Sequence, residues 1–381
     1  MNRVRIVFCA YHDINSNGRC QEVLKAAEKI GQVTFVSYRT PSSFSVAEST
    51  DCIVSGDGKR SYIPFVRTCI NQIKAISPDI VILHDNYCAA IVPHIRKIKS
   101  VPIIVYDSSE LYIDKKPGGL SSTIAWLIQR CENKWISKAN MVIAANLERA
   151  QIMKDYFKLQ EMPYVFENVR YIVEEPNVDE CDKKFGNIIK PDTFAVLYAG
   201  GISKNRMTYD LIRAVKSLGE GYTLLLAGQK DETESKLFEE AMHSTPIDNV
   251  YYFGYLKRSE LRYLFQHVNI SVSMFQQNTL NNINCASGKF FESIYEECPV
   301  LTSTNPPLKR LCEQYGFGLS TDDLKSGIVM MKDNYAYYKE NAIAFKNTIN
   351  PDDLVDKLSD EILKKYNICH RNRYYDEIHQ E

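Results

Sequence analysis

Short apolar runs alternate with helix-like segments along most of the chain. In the first half, the spacing of apolar residues predicts a helix from Gly18 to Ile30 and a long helix from Ser121 to Lys138. The apolar runs around these helices predict six strands: Val4–Ala10, Val33–Ser37, Ile80–His84, Ile103–Tyr106, Met141–Ala145 and Tyr164–Phe166. Continuous apolar strands separated by helices are typical of a parallel sheet that is covered on both faces.

The same alternation starts again in the second half, after a break. Glu174–Lys190 is charged, contains Pro and Gly and shows little periodicity, so we interpret it as a linker between domains. Thr40–Tyr62 is rich in Ser and is predicted to be irregular. Beyond the linker, strands joined by helices are predicted at Phe194–Ala199, Thr223–Ala227, Val250–Phe253, Ile270–Met274 and Val300–Thr302.

These patterns predict an α/β fold with two Rossmann-like α/β/α domains. The first domain covers residues 1–173, the linker residues 174–190 and the second domain residues 191–350. Residues 351–381 form a C-terminal helical segment with a polar tail, and docking of this segment onto the first domain is left open. Because ligands bind at the carboxyl ends of parallel strands, we expect two such domains to face a central cleft.

Composition narrows the class of protein. A length of 381 residues suits two domains, and a formal net charge of -1 argues against nucleic acid as the main partner. No apolar run reaches the length of a membrane span, and we expect the first residues to lead straight into a strand without a signal peptide. The 11 scattered cysteines contain no C-x-x-C pair, which indicates reduced thiols in a cytoplasmic protein and no structural metal site.

One stretch, Asn282–Thr304, suggests a ligand. It predicts a polar loop, a helix with Ser287 as N-cap, and a short strand. A helix N-terminus favours a phosphate, and Lys289 in the first turn would meet the same anion. Glu292 follows on the same side of the helix and suits sugar hydroxyls, so the stretch fits a nucleotide-sugar. The alternative is an ordinary surface ion pair between Lys289 and Glu292.

Glycines and cations follow the predicted strands of the second half. Gly200-Gly201 comes directly after one strand, where backbone can approach a ligand closely, and Lys204 and Arg206 come next. Gly228 and Gly254 end the two strands that follow. Turn formation alone explains any one of these glycines, so the clustering is what favours a binding edge.

Several segments of the second half resemble, in order, the nucleotide-sugar domain of family 4 glycosyltransferases with the GT-B fold: YAGGISKNRMTYDLIRAV, LLLAGQ, VYYFGYLKRSELRYLFQHVNISVSM and ASGKFFESIYEECPVLTST. In the first half, PDIVILHDNYCAA and IVYDSSELY resemble the corresponding acceptor domain. The resemblance implies transfer of a sugar, with retention, from a nucleotide-sugar such as a UDP- or GDP-sugar. It implies neither a metal nor another cofactor.

The resemblance also implies roles for individual residues. Arg206 and Lys289 would balance the charge of the leaving diphosphate, and these two are the predicted catalytic residues. The predicted donor-binding residues are Gly200, Gly201, Tyr255, Leu256, Asn284, Ser287, Gly288 and Glu292. Among them, Gly201 would lie against the phosphates, Glu292 would bind the ribose and Tyr255-Leu256 would lie by the base. The acceptor-side candidates are Asn15, Gly18, Asp85, Ser109 and Glu110.

Two positions depart from the family pattern. Asn284 stands where many members carry a glutamate, and Ser109 stands where the family has a histidine in its D-S-H-E-L segment. Asn284 still donates and accepts hydrogen bonds but carries no charge. These changes imply either an altered choice of donor or a loss of catalysis.

The expected acceptor is a glycan or a lipid-linked glycan, as in the synthesis of cell-surface polysaccharides or glycoconjugates. The predicted helix from Ser121 to Lys138, with the preceding Lys115 and Lys116, mixes basic residues with Trp126 and Trp135. We favour inward packing of its aromatic residues, and contact with the inner face of a membrane is the alternative. Two rival functions stay open: a sugar-nucleotide epimerase, and a non-catalytic protein that binds nucleotide or glycan.

Overall fold

The computed structural model describes residues 3–42, 45–56, 59–98, 102–114 and 118–378, with side chains as far as residue 369. The chain divides into two compact units. The first unit combines Met1–Glu167 with Asp352–Glu381, and the second is Asn168–Pro351. This division differs from the boundaries predicted from the sequence, since the first unit is made of two separate stretches.

The first unit contains a sheet of seven strands, all paired in parallel. The strands are β1 Val4–Ala10, β2 Gly31–Ser37, β3 Thr50–Val54, β4 Ile80–His84, β5 Ile103–Ser108, β6 Met141–Ala144 and β7 Tyr164–Val165. Their order across the sheet is β3-β2-β1-β4-β5-β6-β7. The order reverses between β1 and β4, and such a switch point is where ligands bind in open α/β sheets.

Helices connect these strands. They are α1 Gly18–Ile30, α2 Tyr62–Ile76, α3 Val92–Ile95, α4 Ser122–Trp135 and α5 Leu147–Tyr156. A 3-10 segment, Asn86–Ile91, follows β4 directly. The predicted helix from Gly18 to Ile30 is confirmed, and its N-cap is Asn17, whose side chain accepts a hydrogen bond from the Cys20 amide.

The prediction that Thr40–Tyr62 is irregular is wrong, because β3 lies within it. This strand is at the edge of the sheet, and its residues Asp51 and Cys52 are exposed. An edge strand buries less of its surface than a central strand, so it lacks the continuous apolar run that marked its neighbours.

The C-terminal helix α15, Pro351–Ile378, packs into the core of the first unit. Val355, Leu358 and Ile362 belong to the same buried cluster as strands β1 and β4. The Ser359 hydroxyl donates to the Ala26 carbonyl at 3.1 Å, which joins α15 to α1. The predicted C-terminal helical segment is confirmed, and the helix also includes most of the polar tail, as far as Ile378.

The second unit contains a sheet of six parallel strands. They are β8 Phe194–Ala199, β9 Tyr222–Ala227, β10 Val250–Tyr252, β11 Ile270–Ser273, β12 Val300–Thr302 and β13 Gly318–Ser320, in the order β10-β9-β8-β11-β12-β13. The helices are α6 Val178–Phe185, α7 Thr208–Leu218, α8 Ser235–Met242, α9 Arg258–His267, α10 Leu280–Ile283, α11 Gly288–Tyr295, α12 Pro306–Tyr315, α13 Leu324–Asp333 and α14 Tyr335–Lys346. The order of this sheet reverses between β8 and β11.

The segment interpreted as a linker, Glu174–Lys190, lies within the second unit and contains α6. Cys181 and Phe185 are the buried residues of this helix, four positions apart on one face. The remaining positions are mostly charged, so a helix with only two apolar contacts shows almost no periodicity in the sequence.

Packing of α15 can be tested with one core substitution and one control. Leu358 is fully buried, so Leu358→Ala should destabilise the first unit by about 2–5 kcal/mol. Ile368 on the same helix is half-exposed, and Ile368→Ala should cost no more than about 0.5 kcal/mol. Both tryptophans lie in α4, so tryptophan fluorescence during urea unfolding reports on the first unit alone. Equal, small effects of the two changes would contradict the packing of α15 into this unit.

Candidate functional site

The ends of β8 and β9 approach each other closely in the second unit. Gly228 has φ +148°, and a Cβ added to it would lie 1.8 Å from the Gly200 carbonyl oxygen. Only glycine fits there. A Cβ on Gly201 would meet no atom of the described residues within 4 Å, so the backbone after β8 borders open space. The structure thus leaves room beside Gly201, where the sequence predicted the donor phosphates.

The N-terminus of α11 is formed as the sequence predicted. The Ser287 hydroxyl caps the helix by accepting a hydrogen bond from the Phe290 amide at 3.3 Å. Ser273, the last residue of β11, contacts the Ser287 hydroxyl at 3.4 Å. These contacts place Gly288, the first residue of α11, at the carboxyl edge of the sheet.

Glu292 is fully buried and is surrounded by cations. Its carboxylate lies 2.7 Å from Lys289 Nζ, 3.1 Å from Arg170 Nε and 3.7 Å from Arg258 Nη1. Burial alone would raise the pKa of Glu292, but the charges of Lys289 and Arg170 bring it below its usual value. The interpretation of Lys289 and Glu292 as a surface ion pair is therefore wrong. Arg258 also lies 3.1 Å from Glu174, so three cations face two carboxylates and one positive charge is left for an anionic ligand.

The sequence did not indicate Arg170 or Arg258 as site residues, and Arg170 is the nearer of the two to Glu292. Its guanidinium covers the first turn of α11, since a Cβ on Gly288 would lie 2.0 Å from Arg170 Nη2. Any larger residue at position 288 would displace this cation. Arg170 and Arg258 are far from Glu292 in the sequence, so only the tertiary fold brings them together. The only feature of the sequence that could have indicated Arg170 and Arg258 is that each is a cation shortly after a predicted strand.

Arg206 lies beside the end of β11. Its guanidinium is 4.1 Å from the centroid of the Phe275 ring. The buried Nη1 atom of Arg206 makes no hydrogen bond within the described part of the chain. A buried donor without an acceptor is costly, and a bound anion would relieve that cost. The Gln276 amide donates to the Asn205 carbonyl at 3.0 Å, which fixes this turn against the strand end.

The remaining donor candidates differ in exposure. Tyr255 is 84% exposed, whereas Leu256 packs in a hydrophobic cluster of the second unit. The Leu256 side chain is therefore turned away from solvent, and Tyr255 is the one of the two that is free to stack on a base. Asn284 is buried, follows α10 directly and donates from Nδ2 to the Leu280 carbonyl of that helix at 2.9 Å.

The first unit has its own polar cluster at the switch point of its sheet. Asp85 follows β4 directly, is buried and has φ +66°, a strained value for a residue other than glycine. Its Oδ2 atom lies 2.9 Å from His12 Nε2 and accepts from the Tyr112 hydroxyl at 3.4 Å. Its buried Oδ1 atom has no hydrogen-bond partner among the described residues. His12 follows β1, a strand-end position that could have been noted in the sequence.

A second buried carboxylate holds this cluster in place. Asp107, the fifth residue of β5, lies 2.7 Å from His84 Nδ1 and 2.6 Å from Arg19 Nη2. Burial would raise its pKa, but the charge of Arg19 and the contacts with His84 lower the pKa to about 2. The Asp107 carbonyl also accepts from the Asp85 amide at 2.7 Å. Asp107 therefore fixes both His84 and the backbone of Asp85.

The other acceptor-side candidates lie in loops of the first unit. Asn15 accepts from the Ser42 amide at 2.6 Å and so joins the loops after β1 and β2. Gly18 is the first residue of α1. Glu110 has a half-exposed carboxylate 3.5 Å from Arg149 Nη2, and the Ser109 carbonyl accepts from Arg149 Nη1 at 2.6 Å. Arg149 thus brings Ser109 and Glu110 together.

The preferred inward packing of the aromatic residues of α4 is wrong for Trp126. Trp126 is 46% exposed and Leu127 beside it is exposed as well, whereas Ala125 and Ile128 are the buried apolar residues of this helix. Lys115 and Lys116 lie outside the described residues. No helix in the described part of the chain combines the length and apolar character that a membrane span requires. The described residues also include no group of three or more His, Cys, Asp or Glu side chains that would hold a metal.

Comparison with solved structures shows the fold. Sucrose-phosphate synthase from Thermosynechococcus elongatus superposes with a TM-score of 0.68 at 14% identity, covering 98% of this chain and 100% of that one. HepE from Anabaena, crystallised with UDP-glucose, gives 0.70 at 13% identity, over 94% of this chain and 99% of that one. The chain has the GT-B glycosyltransferase fold.

Sequence comparisons add little to this. No protein-family model and no curated protein sequence matches the chain.

A further structural neighbour with the GT-B fold is WaaG, a glycosyltransferase involved in lipopolysaccharide biosynthesis. It superposes with a TM-score of 0.68 at 15% identity, over 94% of this chain and 99% of that one. Identities this low show only the fold, so the chemistry has to be argued from the residues of this chain.

Glu132 on α4 gives a pH prediction for the first unit. It accepts from the Tyr106 hydroxyl at 2.6 Å, and burial raises its pKa to about 7. Between pH 4.5 and 7, the unfolded chain has lost this proton while the folded chain keeps it, so stability falls as pH rises. Glu132→Gln removes the titration, and its stability relative to wild type should rise by on the order of 3 kcal/mol across that window.

Urea unfolding followed by tryptophan fluorescence at several pH values measures this difference. Tyr106→Phe serves as the matched variant, because losing the hydrogen bond raises the pKa of Glu132 and moves the fall in stability to higher pH. A stability difference between wild type and Glu132→Gln that stays constant from pH 4 to 8 would contradict a buried, protonated Glu132.

Proposed function

We propose that this protein is a retaining glycosyltransferase. It transfers a sugar from a nucleoside diphosphate sugar to a glycan or lipid-linked glycan, in the synthesis of a cell-surface polysaccharide or glycoconjugate. The observation that carries the proposal is the buried Glu292 with Lys289, Arg170 and Arg258, set at the N-terminus of α11. Neighbours of the same fold crystallised with UDP and with UDP-glucose support the choice of donor.

The diphosphate of the donor binds between the first turn of α11 and the turn after β8. Lys289 and Arg206 contribute charge, the free amides of α11 donate hydrogen bonds, and Gly201 allows close approach of the backbone. As the sugar departs, negative charge builds on the diphosphate, and cations already fixed in place stabilise it. These cations take the part that a metal ion plays elsewhere, so the reaction proceeds without a metal.

Glu292 binds the ribose hydroxyls. Its Oε1 atom is buried and, despite the nearby guanidinium groups, makes no hydrogen bond of good geometry among the described residues. A ribose hydroxyl is a suitable donor to that oxygen. Lys289 is one-third exposed and holds the other oxygen, so it can turn from Glu292 to a phosphate without crossing the protein interior. Tyr255, the most exposed of the donor candidates, stacks on the base.

The acceptor binds to the first unit. Asp85 Oδ1 is oriented by His12 and Tyr112 through the other carboxylate oxygen, and it accepts a hydrogen bond from the attacking hydroxyl. Retention without a protein nucleophile implies attack from the side of the leaving diphosphate. The exposed Trp126 and Leu127 on α4 contact the inner face of the membrane when the acceptor is lipid-linked.

The two rival functions have less support. An epimerase would convert the donor in the absence of any acceptor, and a non-catalytic protein would bind the nucleotide and turn nothing over. A donor-only assay separates both from a transferase, and the named neighbours are transferases. Asn284 and Ser109 alter the choice of donor sugar under this proposal and leave transfer intact.

Lys289 and Glu292 should respond differently to substitution. Lys289 faces charge that develops only as the sugar departs, so Lys289→Ala should lower kcat more than it weakens donor binding. Glu292 contacts the ribose equally before and during reaction, so Glu292→Gln should weaken donor binding by about 1.5–3 kcal/mol and change kcat little. Binding is measured by calorimetry with UDP and GDP, and transfer with a panel of their sugars in excess chelator.

Glu296→Gln is the matched control for this pair. Glu296 caps the other end of α11, is buried and lies 3.1 Å from Arg262 Nε, away from the helix N-terminus. It should leave donor affinity unchanged. Loss of turnover in Glu292→Gln with donor affinity intact would show that the two roles are reversed. Failure of every nucleoside diphosphate to bind the wild-type protein would refute the proposal itself.

A further inference from the structure

A cluster of aromatic side chains surrounds a single arginine at the carboxyl edge of the first sheet. The guanidinium carbon of Arg60 lies 5.3 Å from the ring centroid of Tyr11, 5.9 Å from that of Tyr38 and 5.8 Å from that of Tyr87. Tyr11 follows β1, Tyr38 follows β2 and Tyr87 belongs to the 3-10 segment after β4. Three neighbouring strand ends therefore hold one cation.

The rings around Arg60 are firmly held. Tyr11 is fully buried, and its ring centroid lies 5.0–5.5 Å from those of Tyr38, Tyr62, Phe65 and Tyr87. The Tyr87 hydroxyl donates to the Gly118 carbonyl and the Tyr62 hydroxyl to the Tyr87 carbonyl, both at 2.9 Å. Such a platform holds a guanidinium in one place, so little rotamer entropy is lost when a ligand binds.

The charge of Arg60 is not neutralised in the described part of the chain. Arg60 is exposed, and no carboxylate of a described residue lies within 4 Å of it. Stacking on tyrosine faces uses the π-surface of a guanidinium and leaves N–H groups at its edge free to donate. A fixed cation without a carboxylate partner among the described residues suits an anion with several oxygens.

Arg60 lies near the acceptor-side candidates. The ring of His12 is 5.4 Å from the ring of Tyr87, the same ring that Arg60 covers. His12 in turn lies 2.9 Å from Asp85. The rings of Tyr87 and His12 thus lie between the cation and the carboxylate proposed to bind the attacking hydroxyl.

We propose that Arg60 binds a phosphate group of the acceptor. The acceptor is therefore an anionic, phosphorylated sugar. This inference rests on the proposed function, since it names the class of acceptor for the same site. A fixed guanidinium recognises a phosphate well, because the phosphate oxygens match its paired N–H donors. The phosphate belongs either to a soluble sugar phosphate or to a sugar linked to a polyprenyl phosphate.

Calorimetry on the full-length protein tests this inference. The probes are glucose 1-phosphate and glucose 6-phosphate, glucose as the uncharged reference, and a polyprenyl phosphate glucose in phosphatidylcholine vesicles. Arg60→Gln should weaken binding of the phosphorylated probe roughly ten- to a hundredfold, and Arg60→Lys should restore part of it. Arg5→Gln is the matched control. Arg5 is an exposed arginine near the amino end of β1, the strand that ends just before Tyr11.

Each outcome decides something. Arg60-dependent binding of the soluble phosphates identifies a soluble acceptor, and Arg60-dependent binding of the vesicles alone identifies a lipid-linked one. Equal affinity for glucose and its phosphates, no binding of any probe, or equal effects of Arg60→Gln and Arg5→Gln would each overturn the inference. UDP and GDP are titrated in parallel. Nucleotide binding without phosphate recognition refutes only the Arg60 site, and the reverse result refutes only the proposed function.

Discussion

The buried carboxylate of Glu292 is the constraint on which the candidate site depends. An ionised carboxylate removed from water is costly unless cations and hydrogen bonds compensate for it. Here the compensation comes from three places in the second unit: Lys289 in the same helix, Arg258 at the start of α9, and Arg170 in the segment before α6. The need to neutralise one charge thus ties two loops to the N-terminus of α11. Because Arg258 also pairs with Glu174, the cluster holds three cations against two carboxylates.

In the first unit, the buried carboxylate of Asp107 has to be compensated in the same way. Arg19 from α1 and His84 from β4 surround this carboxylate, and its backbone carbonyl holds the strained Asp85. In both units, a fully buried acid lies near the carboxyl edge of a parallel sheet and orders the polar groups around it. Those edges are where the strand order reverses, which is where α/β sheets bind ligands. The topology of each sheet sets the position of the candidate site, and the buried acids hold the polar side chains in place there.

Much of the fold could be predicted because buried parallel strands appear in the sequence as continuous apolar runs. The edge strand β3 and the short helix α6 escaped prediction because each buries few residues, so neither shows a clear period. Lys289 and Glu292 could be paired from the sequence because they lie three residues apart on one helix. Arg170, Arg258 and His12 could not, because their partners are distant in the sequence and only tertiary packing brings them together.

Hydrogen–deuterium exchange with and without saturating UDP or GDP tests the central claim most directly. If the diphosphate binds at the N-terminus of α11 and beside Gly201, amides of residues 288–290 and 200–202 should exchange more slowly in the complex. The core strands of both sheets should be unaffected. Protection confined to the first unit, or no change at these residues with either nucleotide, would contradict the account.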